Sequence, residues 1–359
     1  MTSSVSLQLP PRDTPFGKLF LDSQFMHYPK WAPKSTNLAG QTAIITGAST
    51  GLGLEAGRQM LGFGLSRLII AVRSPAKGES AAAGLRKRYP KARIDVWELE
   101  MESYKSVQAF AARVDTELTR IDTVILNAGM IGNTFQTSPE TGHERTVQVN
   151  YLSTFLLAIL LLPLLKKKAK ARGNSQGSSA PAPTPHLTIV NSGVSLGSKH
   201  LWEDMRPLLP VFDDTARIAW DSVERYWSSK LLGQLFFVKL FPYVSSDDVV
   251  FNMVDPGYIR GTSLQREVSD RDYIIAFVVW LTKAITGRRL TVGGSTYVDA
   301  AVVRGKESHG CFIMDWEVRP FALFAYTDKG KENIDVLWKE TLEEFKFANV
   351  EGILKSLKE

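Results

Sequence analysis

Short apolar runs alternate with helix-like stretches along most of the chain. The runs TAIIT (42–46), RLIIAV (67–72), RIDVWEL (93–99), DTVIL (122–126), LTIV (187–190) and VVFNMV (249–254) are rich in apolar and β-branched residues. Strands buried on both faces have that pattern. Between the runs lie helix-like stretches at 52–65, 77–89, 103–119, 140–168 and 220–244. Strict alternation of β and α predicts a doubly wound α/β domain, with one parallel sheet and helices on both of its faces. No strong linker divides the pattern, so residues 39–359 are expected to form one domain. Residues 1–38 are Pro-rich and polar with isolated aromatics (Phe16, Phe20, Phe25, Trp31), and read as an irregular arm laid on that domain. The low-complexity stretch RGNSQGSSAPAPTP, about 172–185, is expected to be a mobile surface loop before the fifth strand.

Composition narrows the class. The chain has 359 residues, 44% hydrophobic and 22% charged, which is globular. Its net charge of +6 is spread out, and the densest basic run is KKKAKAR, Lys166–Arg172. That run suits a solvated helix end, where cations favour the dipole. It lacks the interleaved aromatics that stack on bases, so nucleic acid is not an expected partner. A single cysteine, Cys311, excludes an intrachain disulfide and a cysteine-cluster metal site, and no metal is expected. A reducing compartment follows, with the cytoplasm as the expected location. The first residues lack the apolar core of a signal peptide. The apolar run Tyr151–Leu165 is short for a membrane span and contains Pro163. It reads as a buried helix, and Tyr273–Ile285 as a further packing segment, so no transmembrane segment is expected.

Candidate chemistry begins directly after the first strand, with TGASTGLG, Thr46–Gly53. Glycines at 47, 51 and 53 at a strand-to-helix junction let backbone N–H groups approach a pyrophosphate, and the helix N-terminus adds favourable partial charge. About twenty residues on, dinucleotide sites carry an acidic residue for a ribose 2′-hydroxyl or an Arg for a 2′-phosphate. Arg73 stands there, with Lys77 as a second cation. NADP(H) is therefore expected over NAD(H). Further on, Tyr226 and Lys230 are four residues apart in ERYWSSKLLGQ, on one helix face. Such a pair is also common where a Lys stem covers apolar surface, and by itself leaves both readings open.

In chain order the sequence shows TGASTGLG, NAG (127–129), VNYLSTF with Asn150, IVNSG with Ser192, YWSSK with Tyr226 and Lys230, and DPG (255–257). In this combination, over about residues 40–262, it resembles the short-chain dehydrogenase/reductase family. LIIAVRSPAKGE and YWSSKLLGQLFF look most like its retinol-dehydrogenase-like members, including reductases of fungal secondary metabolism. The resemblance implies a Rossmann-type fold and a catalytic set of Ser192, Tyr226, Lys230 and Asn150. Tyr226 would be general acid in carbonyl reduction and general base in alcohol oxidation. Lys230 would lower the phenol's pKa and bind the nicotinamide ribose. Ser192 would hold the substrate oxygen, with Ser195 as its rival, and Asn150 would hold a water that relays protons to the Lys. Cofactor contacts would come from Gly47, Ser49, Thr50, Gly51, Leu52 and Gly53 of the turn, Arg73, Lys77, Glu100, Asn127, Ala128, Gly129, Tyr226, Lys230, Pro256, Gly257 and Thr262.

Two positions depart from the family's pattern. Gly261 stands where a Thr or Ser is usual, with Thr262 next, and Glu100 replaces a shorter Asp. The segments about 196–222 and 258–290 are expected to border the substrate. Their large residues Trp202, Phe212, Trp220, Tyr258, Tyr273, Phe277 and Trp280 suggest an apolar pocket for a lipophilic ketone, aldehyde or alcohol. The alternative function is a dinucleotide-binding sensor or scaffold without turnover. Members of the family often pair through the helices at 140–168 and 220–244, so a homodimer through those faces is a further expectation.

Overall fold

The computed structural model describes residues 4–175, 183–200, 202–261 and 286–358. Eight strands form one sheet in the order β3-β2-β1-β4-β5-β6-β7-β8. They are β1 Thr42–Thr46, β2 Arg67–Val72, β3 Arg93–Glu98, β4 Thr123–Leu126, β5 His186–Val190, β6 Val250–Asp255, β7 Phe312–Met314 and β8 Glu317–Arg319. Neighbours from β3 to β7 are parallel, and β8 runs antiparallel to β7. The chain order reverses between β1 and β4, the switch point where doubly wound sheets bind ligands. β1 and β6 are buried at every position, whereas β3, at the edge, is exposed at both ends. Apolar clusters fill both faces of the sheet.

The strands expected from the apolar runs are all present. The helices Gly51–Gly62, Pro75–Arg88, Tyr104–Glu117 and Ser222–Leu240 lie within a few residues of their expected places. The stretch at 140–168 differs more. Its helix begins at Arg145, passes through a wide π-turn at Gln148–Ser153 and continues as Thr154–Ser175. Thr154 Oγ1 donates to the Val149 carbonyl, five residues back, at 2.8 Å and supports the wide turn. The run Arg145–Ala171 is long and apolar enough to cross a membrane by composition, but 83% of its most apolar window is buried in the protein. Residues 172–175, expected in a loop, are helical, and 176–182 lie outside the described residues.

Two expectations need correction. The N-terminal arm is not irregular: it holds the helices Val5–Gln8 and Phe16–Met26. The sheet also extends past β6 with an antiparallel edge. β7 and β8 have three residues each, and the turn between them places Asp315 and Trp316 at φ +57° and +55°. Hairpin turns with positive φ usually announce themselves through Gly, Asn or Asp; Asp315 fits, but Trp316 does not.

Two C-terminal helices pack on the helices Thr154–Ser175 and Ser222–Leu240. The helix Asp328–Glu344 stacks Trp338 on Phe236 (ring centres 5.0 Å apart) and joins Thr341 to Tyr151 by a 2.5 Å hydrogen bond. The helix Val350–Lys358 lies on Thr154–Ser175, where Lys166 Nζ donates to the Leu357 carbonyl. The basic run is ion-paired: Lys166 and Lys170 with Asp248, Lys167 and Lys168 with Asp115.

Candidate active site

A cleft of about 730 Å³ opens at the carboxyl ends of the strands. At one end the chain leaves β1 through Gly47 (φ +67°) and Gly51 (φ +63°) into the helix Gly51–Gly62. Gly47, Ser49, Thr50, Gly51 and Leu52 line the cleft. Gly53 does not. It lies beneath, where a Cβ would come within 2.6 Å of Asn127 Nδ2. That close approach matters because Asn127 ties the strand ends together. Its amide donates to the Thr46 carbonyl at 2.8 Å and accepts from Tyr297 Oη at 2.9 Å. Ala128 and Gly129 follow it along the floor of the cleft.

At the end of β2, Arg73, Ser74 and Lys77 reach the cleft. Ser74 caps the helix Pro75–Arg88 by accepting the Lys77 N–H. Arg73 is two-thirds exposed and sits 3.8 Å from Glu100 and 3.7 Å from Glu102. Glu100 also lines the cleft and accepts the Glu102 N–H at 3.0 Å. Arginine, lysine and an N-terminal helix turn thus face one end of the cleft, with two carboxylates beside them.

Ser192, Tyr226 and Lys230 meet at the other end. Asp221 caps the helix Ser222–Leu240 by accepting from the Val223 and Glu224 N–H groups, and the helix carries Tyr226 and Lys230 one turn apart. Lys230 is almost fully buried. Its Nζ donates to the Val190 carbonyl at 3.0 Å and lies 5.8 Å from the Tyr226 ring centre. Burial pulls its pKa down to about 8, against the attraction of Asp255. The phenol shift expected from the Lys is reversed here. Burial pushes Tyr226 above its ordinary value, and a hydrogen bond with Ser192 offsets this only in part. Burial is the dominant cause, and the Asp255 carboxylate adds to it, while the Lys230 ammonium donates to the Val190 carbonyl.

The two serines take different positions. Ser195 is buried, donates to the Ser192 carbonyl at 2.7 Å and accepts from Gln234 at 2.8 Å. Ser192 faces the cleft beside Tyr226. Asn150, in the π-turn, lies one layer behind. It accepts the Met130 N–H at 2.8 Å and donates to the Met130 carbonyl and to Ser229 Oγ. Pro256 and Gly257 close the cleft after β6, while Thr262 lies outside the described residues.

The substrate-side aromatics separate. Tyr258 lines the cleft. Trp202 and Phe212 are packed in the core, Trp202 with its indole N–H on Ser228, and Trp220 donates to the Asn133 carbonyl. Tyr273, Phe277 and Trp280 lie outside the described residues. Lining residues that the sequence reading passed over are Asp255, Trp227, Leu196, Met314 and Tyr297, together with the arm residues Phe16, Leu19 and Phe20. Two signals pointed to them: Trp227 is adjacent to Tyr226, and Phe16 and Phe20 are four residues apart.

The same architecture recurs in known proteins. Residues 41–174 match the family model described as short chain dehydrogenase. The chain is 50% identical over 354 residues to the short chain dehydrogenase/reductase mfmJ of Annulohypoxylon moriforme, covering 98% of both chains. It is 42% identical over 342 residues to the short chain dehydrogenase virL of Hypocrea virens, covering 94% of both. In three dimensions it is similar to a short-chain dehydrogenase from Sphingobium yanoikuyae in complex with NADPH, with a TM-score of 0.51 and 20% identity over 73% of this chain and 83% of that one. Identity of this extent across nearly the whole length, on a sheet that opens its cleft at the switch point, makes the chain a member of the short-chain dehydrogenase/reductase family, an oxidoreductase with a Rossmann-type fold.

Proposed function

We propose that the protein is an NADP(H)-dependent reductase of lipophilic ketones or aldehydes, able to oxidise the matching alcohol, with a place in fungal secondary metabolism. The observation that carries this reading is the meeting of Ser192, Tyr226 and Lys230 in one cleft with the glycine turn. The turn offers a phosphate cradle, and Arg73 with Lys77 offers charge for a 2′-phosphate. The NADPH complex of the structural relative supports the same choice. When bound, the nicotinamide dinucleotide supplies the hydride.

The chain's own groups then handle the proton. Ser192 Oγ holds the carbonyl oxygen and favours the charge that develops there. The Tyr226 phenol gives that oxygen its proton. Burial keeps the phenol protonated near neutral pH, which is the form an acid needs. Lys230 lies behind Tyr226 on the ribose side, and Asn150, behind Gly129, is the proton-relay residue.

The test is titration with NADPH and with NADH, followed by fluorescence transfer from tryptophan. NADPH is expected to bind at least about tenfold tighter than NADH, equivalent to about 1.4 kcal/mol. Tyr226→Phe is expected to keep NADPH binding and lose about 10²–10⁴-fold in turnover. Equal binding of both cofactors removes Arg73 from the reading, and binding of neither removes the reductase.

A further inference from the structure

The arm helix Phe16–Met26 presents Phe16, Leu19, Phe20, Ser23 and Gln24 to the cleft. These positions follow i, i+3, i+4, i+7 and i+8, the spacing of one helical face. Leu21 and Phe25, on the other side, are 54% and 53% exposed. An eleven-residue helix is marginal in isolation, so tertiary contacts must hold it. At its C-terminal end, Arg288 donates to the Ser23 carbonyl and pairs with Asp315 at 2.6 Å, both side chains buried. Ser23 Oγ donates to Asp315 at 2.7 Å. The Gln24 amide, turned so that its oxygen accepts the Tyr258 N–H, donates to the Tyr258 and Thr286 carbonyls, all at 3.1 Å. At its N-terminal end, Phe16 rests on Trp227, with ring centres 4.8 Å apart. This contact needs Gly197, where a Cβ would lie 2.9 Å from both rings. Phe20 meets Tyr258 edge-on at 5.6 Å.

We propose that this N-terminal helix is a wall of the substrate site, and that Phe16 and Phe20 determine specificity for planar aromatic carbonyl compounds. The inference rests on the reductase reading of the cleft. Trp227 lines the same cleft as the proton donor Tyr226, and Phe16 rests on it. Phe16, Phe20, Trp227 and Tyr258 give that end four aromatic rings, and Leu19, Leu196 and Val223 add aliphatic surface. Ring faces and edges at these separations recognise flat aromatic groups. Arg288 and Asp315, buried at the C-terminal end of the helix, are paired with each other.

Benzophenone tests this directly, because it is itself an aromatic ketone with two flat rings and couples to nearby C–H groups when irradiated. The full chain with saturating NADP⁺ is labelled, and the adducts are mapped by mass spectrometry. Adducts are expected on residues 16–24 and on Trp227. The double substitution Phe16→Ala and Phe20→Ala is expected to lower their yield about tenfold, the loss of roughly one good aromatic pair. NADP⁺ affinity should stay within about twofold of wild type, a change of less than about 0.5 kcal/mol. Leu21→Ala, on the exposed face, should label like wild type, and Phe20→Leu, which keeps apolar volume, should fall between the two. Cleft adducts that avoid the arm overturn the proposal, as does unchanged labelling of the double variant. NADP⁺ binding without any cleft adduct overturns it too. Arm labelling without cofactor binding instead removes the reductase reading and leaves the wall standing.

Discussion

Asp255 ends β6 with its carboxylate turned beneath the catalytic groups. It is 2% exposed and accepts the Gly193 N–H at 2.9 Å. Burial pushes its pKa up to about 6, although the Gly193 and Gly257 N–H groups pull the other way. Between about pH 6 and 8 both Asp255 and Lys230 are charged and attract each other across the floor of the site. The folded pKa of Asp255 lies above its unfolded value, so its contribution to stability is fully present below pH 3.8 and is lost as pH rises through 6. Asp255→Asn removes that loss. The stability of the variant relative to wild type should therefore grow by about 2–3 kcal/mol between pH 4 and pH 8. Melting curves at the two pH values read the difference, and a constant offset would show that burial of the charge is not costly. Without the Asp255 charge, the alkaline limit of turnover should also move to lower pH, because Lys230 keeps its proton less well.

At the scale of elements, the glycine turn is more than a flexible loop. Gly51 needs its positive φ but has open space around it, whereas Gly53 needs space because Asn127 crosses directly above. The two glycines of one motif should respond differently to alanine. Gly51→Ala incurs local backbone strain of about 1–2 kcal/mol. Gly53→Ala pushes Asn127 from its bonds to Thr46 and Tyr297, an overpacking cost of about 1–3 kcal/mol, and also disturbs the β1–β4 gap that faces the cofactor. Denaturant unfolding and NADPH titration of both variants check this. The expected pattern is weakened cofactor binding in both, with the larger stability loss in Gly53→Ala. Equal losses would mean that the Asn127 contact relaxes freely.

At the scale of the whole molecule, His143 joins parts that are distant in sequence. Its Nδ1 lies 2.8 Å from Asp213 on the substrate side, and its Nε2 lies 3.2 Å from Glu344 at the end of the helix Asp328–Glu344. Tyr104, from another helix, donates to the same Glu344 at 3.0 Å. Burial opposes a charged ring, but hydrogen bonds to the two carboxylates outweigh it and raise the His143 pKa to about 9. The sign follows from the raised pKa: the stabilisation is fully present below 6.5 and lost as pH rises through 9. Wild type should lose about 2 kcal/mol over that window, after allowance for partial exposure of the carboxylates. His143→Gln should flatten the curve, and melting temperatures from pH 6 to 9.5 decide the point.

The sequence by itself determined strands β1–β6 and the helices between them, most firmly where a strand buried on both faces must be apolar at consecutive positions, as in TAIIT or VVFNMV. It also carried the glycine turn, which is local in sequence, whereas Ser192, Tyr226 and Lys230 were named from the family resemblance and are brought into one cleft by the fold. Three things were decided by tertiary structure. The β7–β8 hairpin turns through Asp315 and Trp316, of which Trp316 is no turn former, and is held by pairing with β6. The arm helix has too few residues to be stable alone and exists because Arg288, Asp315, Trp227 and Tyr258 receive it. The proton affinities of Tyr226, Lys230 and Asp255 depend on burial and on which carbonyl or N–H each group meets. Spacing along a chain carries no record of that, because desolvation is a property of the packed molecule.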